Sequence, residues 1–220
     1  MEEIQLYAFD LDGTLLDTAP DFFSSVNKLR KANGLESGDF LQVRSRVSQG
    51  AASLARYSLN LKENQKEEIE KFRLELLAIY ENCCLDAKLF EGINQVLDSL
   101  NEKNKNWGIV TNKPRRFAER IVNEKFSSLQ PDFLICPDDV GVRKPSPKGL
   151  KLACKLVKVS SKNSIYIGDH FIDINSGKSA KMRTAAAAYG YVPEGDIVSN
   201  WGADFIINHP REINRIIESY

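Results

Sequence analysis

The twelve residues YAFDLDGTLLDT (7–18) decide how this chain folds. They overlap an apolar run, IQLYAF (4–9), that predicts a buried strand, and the run stops on Asp10. A second acid, Asp12, follows one residue later, and then Gly13 and Thr14. In an extended chain alternate residues share a face, so both carboxylates are directed at one small volume. Gly13 lets the backbone turn sharply and Thr14 supplies a hydroxyl. Two neighbouring anions raise each other's energy unless a cation or a proton intervenes. Taken alone, the stretch also reads as a simple turn, because Asp-Gly is a common turn pair.

Outward from this motif the pattern changes twice. From about 17 to 88 no strand is expected. Residues 20–33 open on Pro20-Asp21 and carry Phe22, Val26 and Leu29 at helical spacing. Residues 39–60 hold two short helical patterns around a Ser-Gln-Gly-Ala-Ala hinge at 48–52, and 63–82 predict a longer amphipathic helix. Beyond 88, strands at 107–111, 132–136, 164–168, 183–188 and 204–207 alternate with helices at 91–103, 114–125, 146–157, 171–181 and 210–218. Strands alternating with helices imply βαβ units around a parallel sheet. The expected fold is α/β: a doubly wound, Rossmann-like parallel-sheet core from 1–16 and 89–220, with an all-helical domain inserted at 17–88. In such sheets ligands bind beyond the carboxyl ends of the strands, which is where Asp10 and Asp12 fall.

The totals narrow the partners. The chain has 220 residues, 42% hydrophobic and 27% charged, enough for a sizeable core. Its 30 basic and 30 acidic side chains cancel, so no global field draws it to nucleic acid or an anionic membrane. Cys83, Cys84, Cys136 and Cys154 form no C-x-x-C pair and have no His cluster beside them, so they are expected as reduced, buried thiols. No run is long enough to span a membrane, and the start, MEEIQ, lacks the basic residues of a secretion signal. The expectation is a cytoplasmic protein with a small-molecule partner and no obligate protein partner.

Three other βα junctions carry polar groups. Strand 107–111 ends in Thr111-Asn112. Strand 164–168 ends in Gly168-Asp169, with Asp173 four residues on. Between them, GVRKPSPKG (141–149) places Lys144 before a proline, in a loop entering a helix. Together with Asp10 and Asp12, these βα junctions compose one site. His170 is expected as a loop residue, and Arg44, Arg46, Arg115 and Arg116 as a solvated face.

In this order the motifs D-x-D-G-T, T, K and G-D-x-x-x-D resemble those of the haloacid dehalogenase superfamily of phosphotransferases, over essentially the whole chain. The helical insertion resembles that superfamily's type-one cap. An ionised carboxylate needs no base to attack phosphorus. Anion attacking anion calls for a hard cation, and oxygen-only ligands select Mg²⁺. The resemblance implies Asp10 as nucleophile, and Asp10, Asp169 and the Asp12 carbonyl as Mg²⁺ ligands. It implies Thr111, the Asn112 amide and Lys144 as holders of the phosphoryl oxygens, and the Asp12 side chain as general acid and then base. Thr14 is expected to orient Asp12, and Asp173 to sit just behind the metal or near Lys144.

The cap decides what fits. Ser48, Gln49, Gly50 and Ala51 occupy the place of a specificity loop, with Gln49 and Gly50 expected at the substrate. The opening motif is similar to the phosphoglycolate-phosphatase branch. AKLFEGI, WGIVTNKPRRFAE, KPSPKGLKLACK and NWGADFIINHP resemble a subgroup that contains the N-acetylmuramic acid 6-phosphate phosphatases. That resemblance implies a phosphomonoesterase acting on N-acetylmuramic acid 6-phosphate. The alternatives are a 2-phosphoglycolate phosphatase and a non-catalytic binding protein on the same fold. Asp12, which would protonate a leaving group, argues against a dehalogenase.

Overall fold

The computed structural model describes residues 3–220; Met1 and Glu2 of the MEEIQ start lie outside them. The elements are β1 (Leu6–Phe9), β2 (Leu16–Asp17), α1 (Ala19–Ala32), α2 (Phe40–Arg44), α3 (Ala51–Ser58), α4 (Lys66–Tyr80), β3 (Lys88–Leu89), α5 (Ile93–Glu102), β4 (Asn106–Val110), α6 (Arg115–Lys125), β5 (Leu134–Ile135), α7 (Pro137–Val140), α8 (Lys148–Val157), β6 (Ser164–Gly168), α9 (Phe171–Ser179), β7 (Arg183–Ala187), β8 (Phe205–Ile207) and α10 (Ile213–Ser219). The main sheet has the order β5-β4-β1-β6-β7-β8, and every neighbouring pair is parallel. β1 is therefore the switch point: the chain winds one way through β4 and the other through β6.

Both faces of β1 are buried, as the unbroken apolar run requires. Leu6 and Ala8 pack with Val110 and with Leu150 and Ala153 of α8. Tyr7 and Phe9 face the opposite side, in the cluster that takes in α5, α6 and α10. Phe9 meets the Trp107 ring edge-on at 6.4 Å. Each such fully buried side chain contributes about 1.5–3 kcal/mol. The period-2 alternation fixes what comes next. Asp10 continues the Leu6–Ala8 side, so its carboxylate is aimed at the loop that enters α8, the loop of Lys144.

The helical segment leaves and returns through a two-stranded ribbon, β2 antiparallel to β3, which pairs Leu16 with Leu89 and Asp17 with Lys88. These two-residue strands lie at the ends of the stretch where no strand was expected. Its inward side chains, among them Phe22, Val43, Leu54 and Leu76, join the same apolar cluster as Phe9. One other expectation needs correction. The strand anticipated at 132–136 shortens to β5 because Asp132 turns its carboxylate back to accept the Trp107 N–H at 2.9 Å. The chain then enters the short helix α7, whose first residue, Pro137, has no N–H to lose. All four cysteines are free and buried. No helix of the described residues is long and apolar enough to cross a membrane.

Candidate active site

The carboxyl ends of β1, β4 and β6 bring the predicted residues together. Lys144 is almost wholly buried, and its Nζ lies 2.7 Å from both Asp10 Oδ1 and Asp173 Oδ1. It donates to the Tyr166 hydroxyl at 2.8 Å and to the Val110 carbonyl at 3.3 Å. Burial disfavours its charged form, but the two carboxylates outweigh that and raise its pKa. Asn112 holds the lysine's backbone from both sides. Its Oδ1 accepts the Lys144 N–H at 2.8 Å and its Nδ2 donates to the Lys144 carbonyl at 3.3 Å. The Asn112 side chain, expected on the phosphoryl group, is thus spent on Lys144. The buried Thr111 hydroxyl accepts the Lys113 N–H at 3.1 Å.

Asp169 is fully buried, and three groups converge on it. Its Oδ1 accepts from the Thr14 hydroxyl at 3.0 Å; its Oδ2 accepts from the Ser48 hydroxyl at 2.8 Å and the Tyr191 N–H at 2.9 Å. Thr14 therefore orients Asp169, not Asp12 as expected. The reason is the turn: Gly13 has φ +86°, which swings Thr14 away from its neighbour and toward the end of β6. Two glycines allow this crowding. A Cβ on Gly13 would stand 2.2 Å from Asp169 Oδ2, and one on Gly190 would stand 2.3 Å from both the Gly13 carbonyl oxygen and Asp169 Cβ. Gly190→Ala must therefore displace Asp169. A supporting-group change of this kind costs about 10- to 100-fold in metal affinity. The expected result is a 10- to 100-fold higher divalent-cation requirement, read by titrating activity against the cation. An unchanged titration would show that Asp169 is not a ligand.

Asp10, Asp169 and Asp173 each offer an oxygen within 4.8 Å of the others. Among the described residues Lys144 is the ammonium in contact with this group, so one cation leaves two negative charges uncompensated when all three carboxylates are ionised. The strain registers in the acids. Burial foremost, offset in part by Lys144, pushes Asp10 up to about 6. Burial, with Asp10 and Asp173 adding repulsion, pushes Asp169 up to about 8. Asp10 Oδ1 is buried and meets Lys144 Nζ at 2.7 Å. A hard divalent cation fits this all-oxygen cluster in its ionised form.

Asp12 stands apart from the cluster. Its Oδ1 accepts from the Thr18 hydroxyl at 2.8 Å, and Lys113 Nζ reaches its two oxygens at 2.8 and 3.1 Å. Lys113 also donates to the Tyr80 hydroxyl at 2.9 Å and lies over the stacked rings of Phe22 and Tyr80. The carboxylates of Asp10 and Asp12 border one cavity, closed on its apolar side by Phe22, Val47, Leu77 and Phe117. The two acids thus share a cavity but have separate partners.

The model of the haloacid dehalogenase-like hydrolases matches residues 7–187. The chain belongs to that family. It is a phosphatase of it. It is 40% identical, over 96% of its length and 95% of theirs, to an N-acetylmuramic acid 6-phosphate phosphatase of Pseudomonas putida. It is 35% identical, over 93% of its length, to a phosphoglycolate phosphatase of Xanthomonas campestris pv. campestris, 92% of which is covered. A crystal structure described as a predicted phosphoglycolate phosphatase from Haemophilus somnus superposes with a TM-score of 0.85 at 24% identity, covering 98% of this chain and 99% of that one.

For this phosphatase the sequence motifs located the cluster but missed several of its supports. Lys113 follows Thr111-Asn112 directly, at the same strand end, and that position was the available signal. Thr18, Gly190 and Tyr191 gave none, since their contacts depend on turns. Of the loop expected to set specificity, Ser48, Gln49, Gly50 and Ala51 all border the cavity, although the Gln49 side chain is occupied by Ser45 and Ser53. Three arginines expected to be solvated are engaged with protein groups. Arg44 donates to the Tyr189 carbonyl at 3.0 Å and covers the Tyr191 ring; Arg46 lies over Tyr57; Arg115 pairs with Asp139 at 2.6 Å. Arg116 is exposed. His170 is no mere loop residue. It is buried and caps α9 by accepting the Ile172 N–H, and burial lowers its pKa to about 4, so it is neutral at pH 7.

Proposed function

We propose that this phosphatase is a Mg²⁺-dependent phosphomonoesterase that hydrolyses N-acetylmuramic acid 6-phosphate through a phosphoryl group carried on Asp10. One observation carries the reaction: Asp10, held against Lys144 in a buried cluster of three acids. Asp10, Asp169 and the Asp12 main-chain carbonyl would hold the ion, with Asp173 in the same cluster. Bound there, Mg²⁺ offsets the charge of the acids and of the phosphate ester.

Asp10 attacks phosphorus as the bond from phosphorus to the sugar oxygen breaks, and Asp12 gives that oxygen its proton. Water then attacks the phosphorus, Asp12 takes the water's proton, and the bond to Asp10 breaks to release phosphate. Lys144, the Thr111 hydroxyl and the Asn112 main-chain N–H would hold the phosphoryl oxygens as charge develops. Lys113 and Thr18 hold Asp12 at the cavity wall.

The substrate reading rests on the 40% identical relative and on the apolar side of the cavity, which suits a ring more than a two-carbon acid. The 35% identical relative favours 2-phosphoglycolate as the second reading. The test is kcat/KM for each ester, with and without EDTA. At least about tenfold preference for the sugar phosphate is expected, with loss of both activities in EDTA. The reverse ranking assigns the enzyme to 2-phosphoglycolate, and EDTA-resistant turnover removes the metal.

A further inference from the structure

Two arginines line the cavity that holds Asp10 and Asp12: Arg73 of α4 and Arg143 of the loop before α8. Arg73 is committed, its Nε and Nη2 each donating to the Glu70 carboxylate at 2.6 Å. Arg143 is not. Among the described residues no carboxylate, carbonyl or ring receives its guanidinium. It also borders the adjoining cavity of Lys144, Ser48 and His170, so it stands where the two spaces meet.

Its surroundings favour an anion. Although the residue is exposed overall, partial desolvation and the charge of Arg73 press its pKa below the ordinary arginine value. A Cβ on Gly50 would lie 3.3 Å from its Nη2, so the guanidinium rests against the cap backbone where α3 begins. An unpaired cation facing a second cation is relieved by an incoming negative group. Its place is also fixed from below, because Asn112 clamps the main chain of the next residue, Lys144, on both sides.

We infer that Arg143, with Arg73 adding to its field, is the receptor for a second anionic group of the substrate, a carboxylate, distinct from the phosphoryl group held at Lys144. A carboxylate matches the planar fork of one guanidinium with two parallel hydrogen bonds. Its single charge matches one uncommitted arginine. The substrate class is therefore a phosphate monoester that also bears a carboxylate. This rests on the phosphomonoesterase reading and sharpens it, because both candidate substrates carry such a group.

The test uses two matched pairs: N-acetylmuramic acid 6-phosphate against N-acetylglucosamine 6-phosphate, which lacks the lactyl carboxylate, and 2-phosphoglycolate against ethyl phosphate. Arg143→Gln is expected to lower kcat/KM about 10- to 100-fold for the carboxylate-bearing member of the pair that the wild type prefers. The neutral member should change by less than about threefold, and Arg143→Lys should fall between. Parallel losses within a pair, or no loss, overturn the inference; so does a wild type that discriminates within neither pair or turns over none of the four. A wild type that prefers 2-phosphoglycolate overturns the sugar assignment alone, and Arg143 is then judged on the second pair.

Discussion

Replacing Asp10 with Asn abolishes turnover and leaves the fold intact. The amide has nearly the shape of the carboxylate but no anionic oxygen with which to attack phosphorus, so no phosphoryl-enzyme forms. Loss of a nucleophile that acts in concert with its partners costs about 10⁴-fold or more in kcat. The fold survives because Lys144 keeps Asp173, Tyr166 and the Val110 carbonyl. It also survives because the Asp10 charge is itself a burden. Burial holds its pKa at about 6, above the usual carboxylate value, so at neutral pH the metal-free protein carries an ion that its surroundings disfavour. An active-site group kept against stability is relieved when it is neutralised. The metal-free variant should therefore melt at or above the wild-type temperature at pH 8. Thermal melting and a single-turnover assay on the same preparation check both halves. Residual activity above about one hundredth of wild type would remove Asp10 as the nucleophile, whatever the melting temperature.

The residues that make this prediction possible were legible because strand physics exposes them. An apolar run that ends in Asp-x-Asp-Gly has no other way to use its last side chains than to point them past the sheet. The same holds for Thr111, Lys144 and Asp169 at their own βα junctions. What stayed hidden depends on turns. Whether Thr14 or Thr18 serves Asp12 is decided by the positive φ of Gly13, and its partner Asp169 lies 155 residues away. Ser48 was read as part of a specificity loop, yet its hydroxyl also bonds Asp169, so one loop touches both the cavity and the acidic cluster. Lys113 is drawn into the site by the rings of Phe22 and Tyr80, contributed by α1 and α4, which close over it. Apolar periodicity placed those helices, but it cannot tell which buried ring meets a cation.

Stability in the absence of metal should fall as pH rises, and Mg²⁺ should restore it at high pH but scarcely at low pH. Asp169 has a folded pKa of about 8 against 3.8 for an ordinary Asp, because burial, Asp10 and Asp173 disfavour its charge. Between those values the folded state binds a proton that the unfolded chain has released. Stability therefore declines with rising pH through this window, and the full penalty is present above about pH 8. Asp10 adds a smaller contribution between 3.8 and about 6. Below about pH 4 both states are protonated and neither acid counts. A cation bound by these carboxylates needs them ionised, so at pH 5 it must first displace protons, whereas at pH 8 it relieves repulsion already present. With a 220-residue chain and roughly 2–4 °C of melting temperature per kcal/mol, saturating Mg²⁺ should raise the midpoint by about 5–10 °C at pH 8 and by under about 2 °C at pH 5. The quantity to compare is the difference between Mg²⁺ and EDTA at each pH, which cancels groups remote from the cluster. Asp169→Asn should flatten that difference across the range. Equal Mg²⁺ shifts at pH 5 and pH 8 in the wild type would mean that the ion does not bind at Asp10 and Asp169.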